Sequence, residues 1–141
     1  MKIAGTNTLA LTQEEAYRRM QDPEVLAACM PGCEGLEKIG EDEYKMKMKL
    51  ALASLSGAFD GKVRIADRNP PNGFRLIVEG TGKLGFMKGE GALKFTPAGD
   101  STEVSYEGDV QVGGTMAAVG QRLIDATAKM MIKRFFDKLA A

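Results

Sequence analysis

A chain of 141 residues with 19 basic and 19 acidic side chains has no formal net charge, and so lacks the electrostatic excess that would draw it to nucleic acid. Its length suits one domain, residues 1–141, around one substantial core. There is no histidine, which removes Ser-His-Asp and Cys-His nucleophiles, and two cysteines cannot supply the four ligands of a structural zinc site.

Apolar runs such as Met116 to Val119 and Met130 to Ile132 fall far short of the roughly 18 residues that a spanning helix needs. MKIAGTNTLALT lacks the continuous apolar stretch of a signal peptide, so a cytoplasmic location is expected.

Lys2 to Leu11 alternates, with Ile3, Gly5, Asn7, Leu9 and Leu11 on one side, which predicts a half-buried strand. Thr12 and Glu15 have the spacing of a capping box, and Asp22-Pro23 gives an N-cap followed by proline at the first helical position. Two short helices are therefore expected, ending near Met30-Pro31-Gly32. In EYKMKMKLALAS the period is two, with Met46, Met48, Leu50 and Leu52 set against lysines 45, 47 and 49. A turn at Ser54 to Gly57 leads into Phe59, Gly61, Val63 and Ile65. Asn69-Pro70-Pro71-Asn72-Gly73 is a further turn, and Phe74, Leu76, Val78, Gly80 and Gly82 continue the apolar face. Leu93 and Phe95, then Val104, Tyr106, Gly108, Val110 and Val112, extend it beyond turns near Gly85 and Gly99. About seven antiparallel strands in hairpin succession result.

From Met116 to Leu139 the period becomes helical, with Val119, Leu123, Thr127, Met131 and Phe135 on one stripe. The predicted helix is on the order of 35 Å long. Strand, two short helices, meander and long terminal helix make an α+β domain in which a curved sheet wraps a helix.

Gly113-Gly114 closes an antiparallel meander and lacks the GK[ST] ending of a phosphate loop, so it reads as the hinge between last strand and helix. Gly120 costs about 1 kcal/mol of helix propensity, which suggests that sheet or ligand approaches the helix closely there. Glycines 61, 80, 82 and 108 fall on the apolar face, where they can bend the sheet, or bend it and also leave a cavity. Hairpin parity puts the Ser54 to Gly57 turn, the Leu84 to Lys88 turn and the Gly113-Gly114 hinge at one end. Leu55, Phe86 and Met87 would cluster there as a membrane or partner contact, Phe86 and Met87 being flanked by Lys83 and Lys88. The alternative is an ordinary hairpin tip with Phe86 folded onto the core.

Taken together, CMPGCEGL, GAFDGKV, GEGALKF and VQVGGTMAAVGQRLI followed by MMIKRFFDKL resemble the CoxG family of carbon monoxide dehydrogenase proteins over Met1 to Leu139. That family lies within the START-like, or SRPBCC, superfamily of helix-grip (Bet v 1-like) folds. The resemblance implies an accessory protein of molybdenum hydroxylases, especially aerobic carbon monoxide dehydrogenase. It implies a part in recruiting that enzyme to the membrane and in carrying a lipid quinone, menaquinone or ubiquinone, that accepts its electrons. Many relatives carry an anchoring C-terminal extension. This sequence stops at Ala141, so peripheral contact at the inner face of the membrane is expected from the domain surface or from a partner.

Three functions follow. The first is a carrier with an apolar cavity between sheet and terminal helix, lined by Leu50, Leu52, Phe59, Val63, Val78, Val110, Met116, Val119, Gly120 and Leu123, with Tyr106 as a polar handle. The nine methionines would let such an interior adapt to its ligand. The second is an enzyme, which would need an inward base. Asp60, Glu79, Glu90, Glu103 and Glu107 all alternate outward, so a non-catalytic protein without cofactor or metal is expected. The third is a ligand-free adaptor docking to a dehydrogenase, for which the Cys29 to Cys33 loop is either a surface or merely the end of the second helix.

Overall fold

The computed structural model describes residues 1–52 and 55–140, and for residues 51, 52 and 55 the backbone alone. Strand β1 (Lys2–Leu9) is followed by helices α1 (Gln13–Arg19) and α2 (Pro23–Cys29). Six strands come next: β2 (Cys33–Gly40), β3 (Glu43–Leu52), β4 (Leu55–Asn69), β5 (Gly73–Gly82), β6 (Gly85–Ala98) and β7 (Ser101–Gly113). A four-residue helix α3 (Thr115–Ala118) and the long helix α4 (Gln121–Ala140) complete the order.

All pairings are antiparallel, in the order β1-β7-β6-β5-β4-β3-β2. The expected α+β helix-grip architecture is thus present. Both helix starts follow from their capping residues. Thr12 Oγ1 accepts from the Glu15 amide at 3.2 Å, and Asp22 Oδ1 accepts from the Glu24 amide at 2.9 Å ahead of Pro23.

Strand β2 carries no clear alternation, and its register explains why. Pairing with β3 shifts between Cys33 and Gly35 and again between Lys38 and Gly40, so inward and outward positions do not simply alternate. The terminal helix differs as well. The chain leaves helical geometry at Gly120, whose φ of +99° separates α3 from α4. That break changes the rotational phase, so the stripe drawn from Val119 through Leu123 does not face inward as one surface.

Cross-strand rows on the concave face divide the interior into two ends. At one end Phe74, Leu93, Tyr106 and Gly5 form a row, and Phe95, Val104 and Asn7 the next. Here α1, α2 and the last turns of α4 close the sheet with a fully packed core that includes Leu9, Tyr17, Leu26, Phe135, Phe136 and Leu139. Tyr17 meets Phe74 and Phe95 edge-on, with ring centroids at 5.7 and 5.5 Å, while Phe135 meets Phe136 at 5.4 Å. The opposite end carries the β3–β4 and β5–β6 connections and the β7–α3 hinge, as hairpin parity requires: the Met116 amide donates to the Leu84 carbonyl at 2.6 Å. Leu84 also lies beside Gly57.

Candidate functional site

Between the sheet and the first half of α4 the packing is incomplete. One cross-strand row runs Met46, Gly61, Gly80, Met87 and Val112, and a neighbouring one runs Met48, Phe59 and Gly82. Two adjacent glycines in the middle of the first row remove the side chains that would otherwise reach toward the helix. The result is a cavity of about 120 Å³, walled by Met1, Met46, Met48, Leu50, Phe59, Gly61, Gly80, Met87, Val110, Val112, Met116, Ile124, Thr127, Ala128 and Met131. Six of these are methionines, and Thr127 alone has a polar side chain.

The glycines of this face serve different ends. A Cβ at Gly61 would collide with the Glu79 carbonyl, one at Gly82 with the Ala58 carbonyl, and one at Gly108 with the Glu90 carbonyl. These three permit the close backbone approach of a sharply curved sheet. At Gly80 a Cβ would meet Asp60 O at 3.8 Å and Met87 Cγ at 3.9 Å, ordinary contact distances, so a methyl group would fit there without displacing the backbone.

Of the expected lining residues, Leu50, Phe59, Val110 and Met116 border the cavity. Val63 does not. It is 5% exposed and paired with Val78 one row nearer the packed end, and neither valine is among the cavity walls. Tyr106 is no polar handle either. Its ring covers Gly5 across the β1–β7 pair and stacks on Phe136 at 6.2 Å, which ties β1 to α4. Leu123 is 37% exposed and Val119 is half-buried at the end of α3. Beyond Gly120 the wall is formed by Ile124, Thr127, Ala128 and Met131, of which Thr127 and Met131 belong to the expected stripe. No close approach explains Gly120, since a Cβ there would meet nothing within 4 Å. Its positive φ does. The side chains of Leu52 and Leu55 lie outside the described residues.

Phe86 and Met87 do not form the joint contact that their adjacency suggests, because the strand separates them. Gly82 pairs with Gly85, so the β5–β6 loop is only Lys83-Leu84, and Phe86 and Met87 are already in β6 with opposite facings. Met87 lines the cavity. Phe86 lies on the outer face across Gly113, 43% exposed.

Five of the walls missing from the expected lining are methionines, Met1, Met46, Met48, Met87 and Met131. Met46 and Met48 share the alternating face with Leu50, which was their available signal. Met131 lay on the helical stripe, whereas nothing local marks Met1 or Met87 as neighbours of the cavity.

The ionisable groups surround rather than enter this space. Asp60, Glu79, Glu90, Glu103 and Glu107 are all exposed. Among the described residues no cluster of three or more histidine, cysteine or carboxylate side chains could hold a metal ion. Cys29 and Cys33 are free thiols. Cys29 is buried among the core residues, and that burial pushes its thiol up, outweighing the opposing influence of Lys138 and Arg19. Among the described residues no helix is long and apolar enough to cross a membrane.

Solved structures share this architecture closely. A conserved protein from Geobacillus kaustophilus is 36% identical, with a TM-score of 0.96 over 99% of this chain and 93% of that one. A START superfamily protein from Mycobacterium smegmatis, 14% identical, aligns at TM-score 0.77 over 99% of this chain and 94% of its own. Ara h 8.0201, 10% identical, aligns at 0.73 over 99% and 95%. The last two show the fold alone, a START-like and Bet v 1-like helix grip. No curated protein sequence matches the chain. The family model for CoxG, a carbon monoxide dehydrogenase subunit, matches residues 5–141, almost the whole curved sheet and its helix, and the chain belongs to that CoxG family.

Proposed function

We propose that this protein is a non-catalytic accessory protein of a carbon monoxide dehydrogenase-type molybdenum hydroxylase, and that it binds a hydrophobic molecule such as a lipid quinone between its sheet and α4. The observation that carries the reading is the cavity wall, which is apolar apart from one threonine and rich in methionine. A thioether wall is polarizable, makes favourable contacts with aromatic rings and changes shape by rotamer shifts. At about 120 Å³ the space is close to that of a cavity that holds a single benzene ring. A ring with a tail would require the methionines or the helix to yield.

Coupling to the inner face of the cell membrane fits the distribution of charge. At the hollow end Lys49 lies opposite Ala58 and Lys83 is in the β5–β6 loop, while Lys47 and Lys88 lie opposite Asp60 and Glu79. Exposed Phe86 in β6 and Leu123 in the first turn of α4 lie at the same end. Lys49, Lys83 and Arg122 beside such apolar tips suit an anionic lipid surface.

Native mass spectrometry after organic extraction, followed by titration with quinones of increasing tail length while monitoring Tm, tests the carrier reading. Micromolar or tighter binding that strengthens with tail length is expected. The small cavity favours a second reading, a ligand-free adaptor for assembly or recruitment of the dehydrogenase, since drug-sized ligands usually occupy about 300–1,000 Å³. Recovery of the hydroxylase by ligand-free protein that shows no quinone-dependent shift would select it.

A further inference from the structure

The cavity walls are held very unequally. Strands β3 to β7 are bound by continuous ladders, and α4 is anchored through buried Phe135, Phe136 and Leu139. Helix α3 has no buried residue and no side-chain cap at its start. Its flanking glycines, Gly114 at φ +76° and Gly120 at φ +99°, adopt backbone angles that L side chains rarely take.

Contacts of α3 are concentrated on β6 and β7, at the rim. Its firmest tie is the bond from the Met116 amide to the Leu84 carbonyl at 2.6 Å. The bonds at its far end are long, 3.5 Å from the Val119 amide to the Met116 carbonyl and 3.4 Å from the Gly120 amide to the Ala117 carbonyl. Yet the Met116 side chain forms part of the cavity wall.

We infer that α3 is a gate: it turns about Gly114 and Gly120, is latched by the Met116–Leu84 backbone bond, and carries Met116 as a plug that sets the size of molecule admitted. This rests on the cavity being a ligand site. Release of one backbone bond withdraws the plug, whereas opening the cavity through the described strands would break a sheet ladder. Gly120 makes the closed position available at no steric cost, since alanine there would resist the required φ.

The test uses the neutral fluorescent probe N-phenyl-1-naphthylamine in stopped-flow mixing, with hydrogen exchange read at the Met116 amide. In the unaltered protein the association rate should level off as probe concentration rises, because opening limits it. Gly120→Ala should raise that ceiling about tenfold, as expected if the closed state loses a tenfold population advantage. Met116→Ala should raise it too and admit bulkier naphthyl probes. Met131→Ala, which enlarges the cavity from α4, should change the dissociation constant and leave the ceiling unchanged.

An unchanged ceiling in Gly120→Ala, or an equal rise in Met131→Ala, would overturn the gate while leaving the carrier reading intact. If no probe binds any variant, the carrier reading falls. The exchange data then decide: Met116 protection as strong as that of the α4 core would sink the gate, and faster exchange, accelerated further in Gly120→Ala, would support it.

Discussion

The two ends of the helix grip are built from the same alternating strands and differ in what those strands present. At the packed end the inward residues are Phe74, Phe95, Val104 and Ile65, met by Tyr17 and the Phe135-Phe136 pair. At the hollow end they are Met46, Met48, Gly61, Gly80 and Met87, met by Thr127, Ala128 and Met131. Branched and aromatic groups with few rotamers fill space in one way, so the packed end supplies stability. Glycines and methionines leave space and let it change shape, so the hollow end is the one able to receive something. Stability and reception are thereby separated along the length of a single helix.

The largest effect expected from breaking this contrast is at Phe95, which is 2% exposed. Phe95→Ala should cost about 3–5 kcal/mol in urea denaturation, through lost burial and the void left behind. Met131→Ala, beside an existing cavity, should cost no more than about 2 kcal/mol, the low end for buried methionine. Equal losses would show that the two ends are packed alike.

A sharper comparison lies within one cross-strand pair, Gly61 and Gly80. Gly61→Ala drives its methyl into the Glu79 carbonyl and should cost about 1–3 kcal/mol, as overpacking does. Gly80→Ala points into ordinary contact distance, and should lie within about 1 kcal/mol of the parent while weakening quinone binding. Should both be equally harmful, the space at Gly80 is not a cavity in solution.

The smallest effect belongs to the surface of the packed end. Glu15 accepts from Arg18 at 2.7 and 2.8 Å and from Arg19 at 2.9 Å, and these bonds hold its carboxyl below the usual carboxylate range. A carboxyl depressed on folding stabilises above its unfolded pKa, and that contribution is lost as pH falls through the folded value. Glu15→Gln should therefore lower Tm slightly at neutral pH, with the gap closing on acidification. A gap that widened in acid would contradict the fork.

Strand and cap chemistry is local, and it was legible locally. Thr12, Asp22-Pro23 and the alternation through β3 to β7 each act within a few residues, so periodicity located the meander, its inward face and the end at which its hinge lies. The site was legible only in part. Leu50, Phe59, Val110 and Met116 could be placed at the hollow end by hairpin parity. Val63 and Tyr106 could not be told from them, because membership of a face does not fix how far along the helix a row sits. Val119 failed for a different reason: the positive φ at Gly120 cuts it off from the α4 stripe of Thr127, Met131 and Phe135, and Gly120 looks the same in a sequence whether it serves contact or conformation. Leu123, in the first turn of α4, is 37% exposed and not among the cavity walls.

By itself, then, the sequence determined β1, the two capped helices, the meander from β3 to β7 and its apolar face, since these depend on spacing and capping between near neighbours, whereas β2, which does not alternate, and the division of the terminal helix at Gly120 were not legible. Its motifs also carried the family resemblance. Which apolar positions pack and which are left hollow was decided only by the tertiary structure. That outcome depends on register between strands and on the depth at which α4 crosses the sheet, and both are set by residues far apart in the chain.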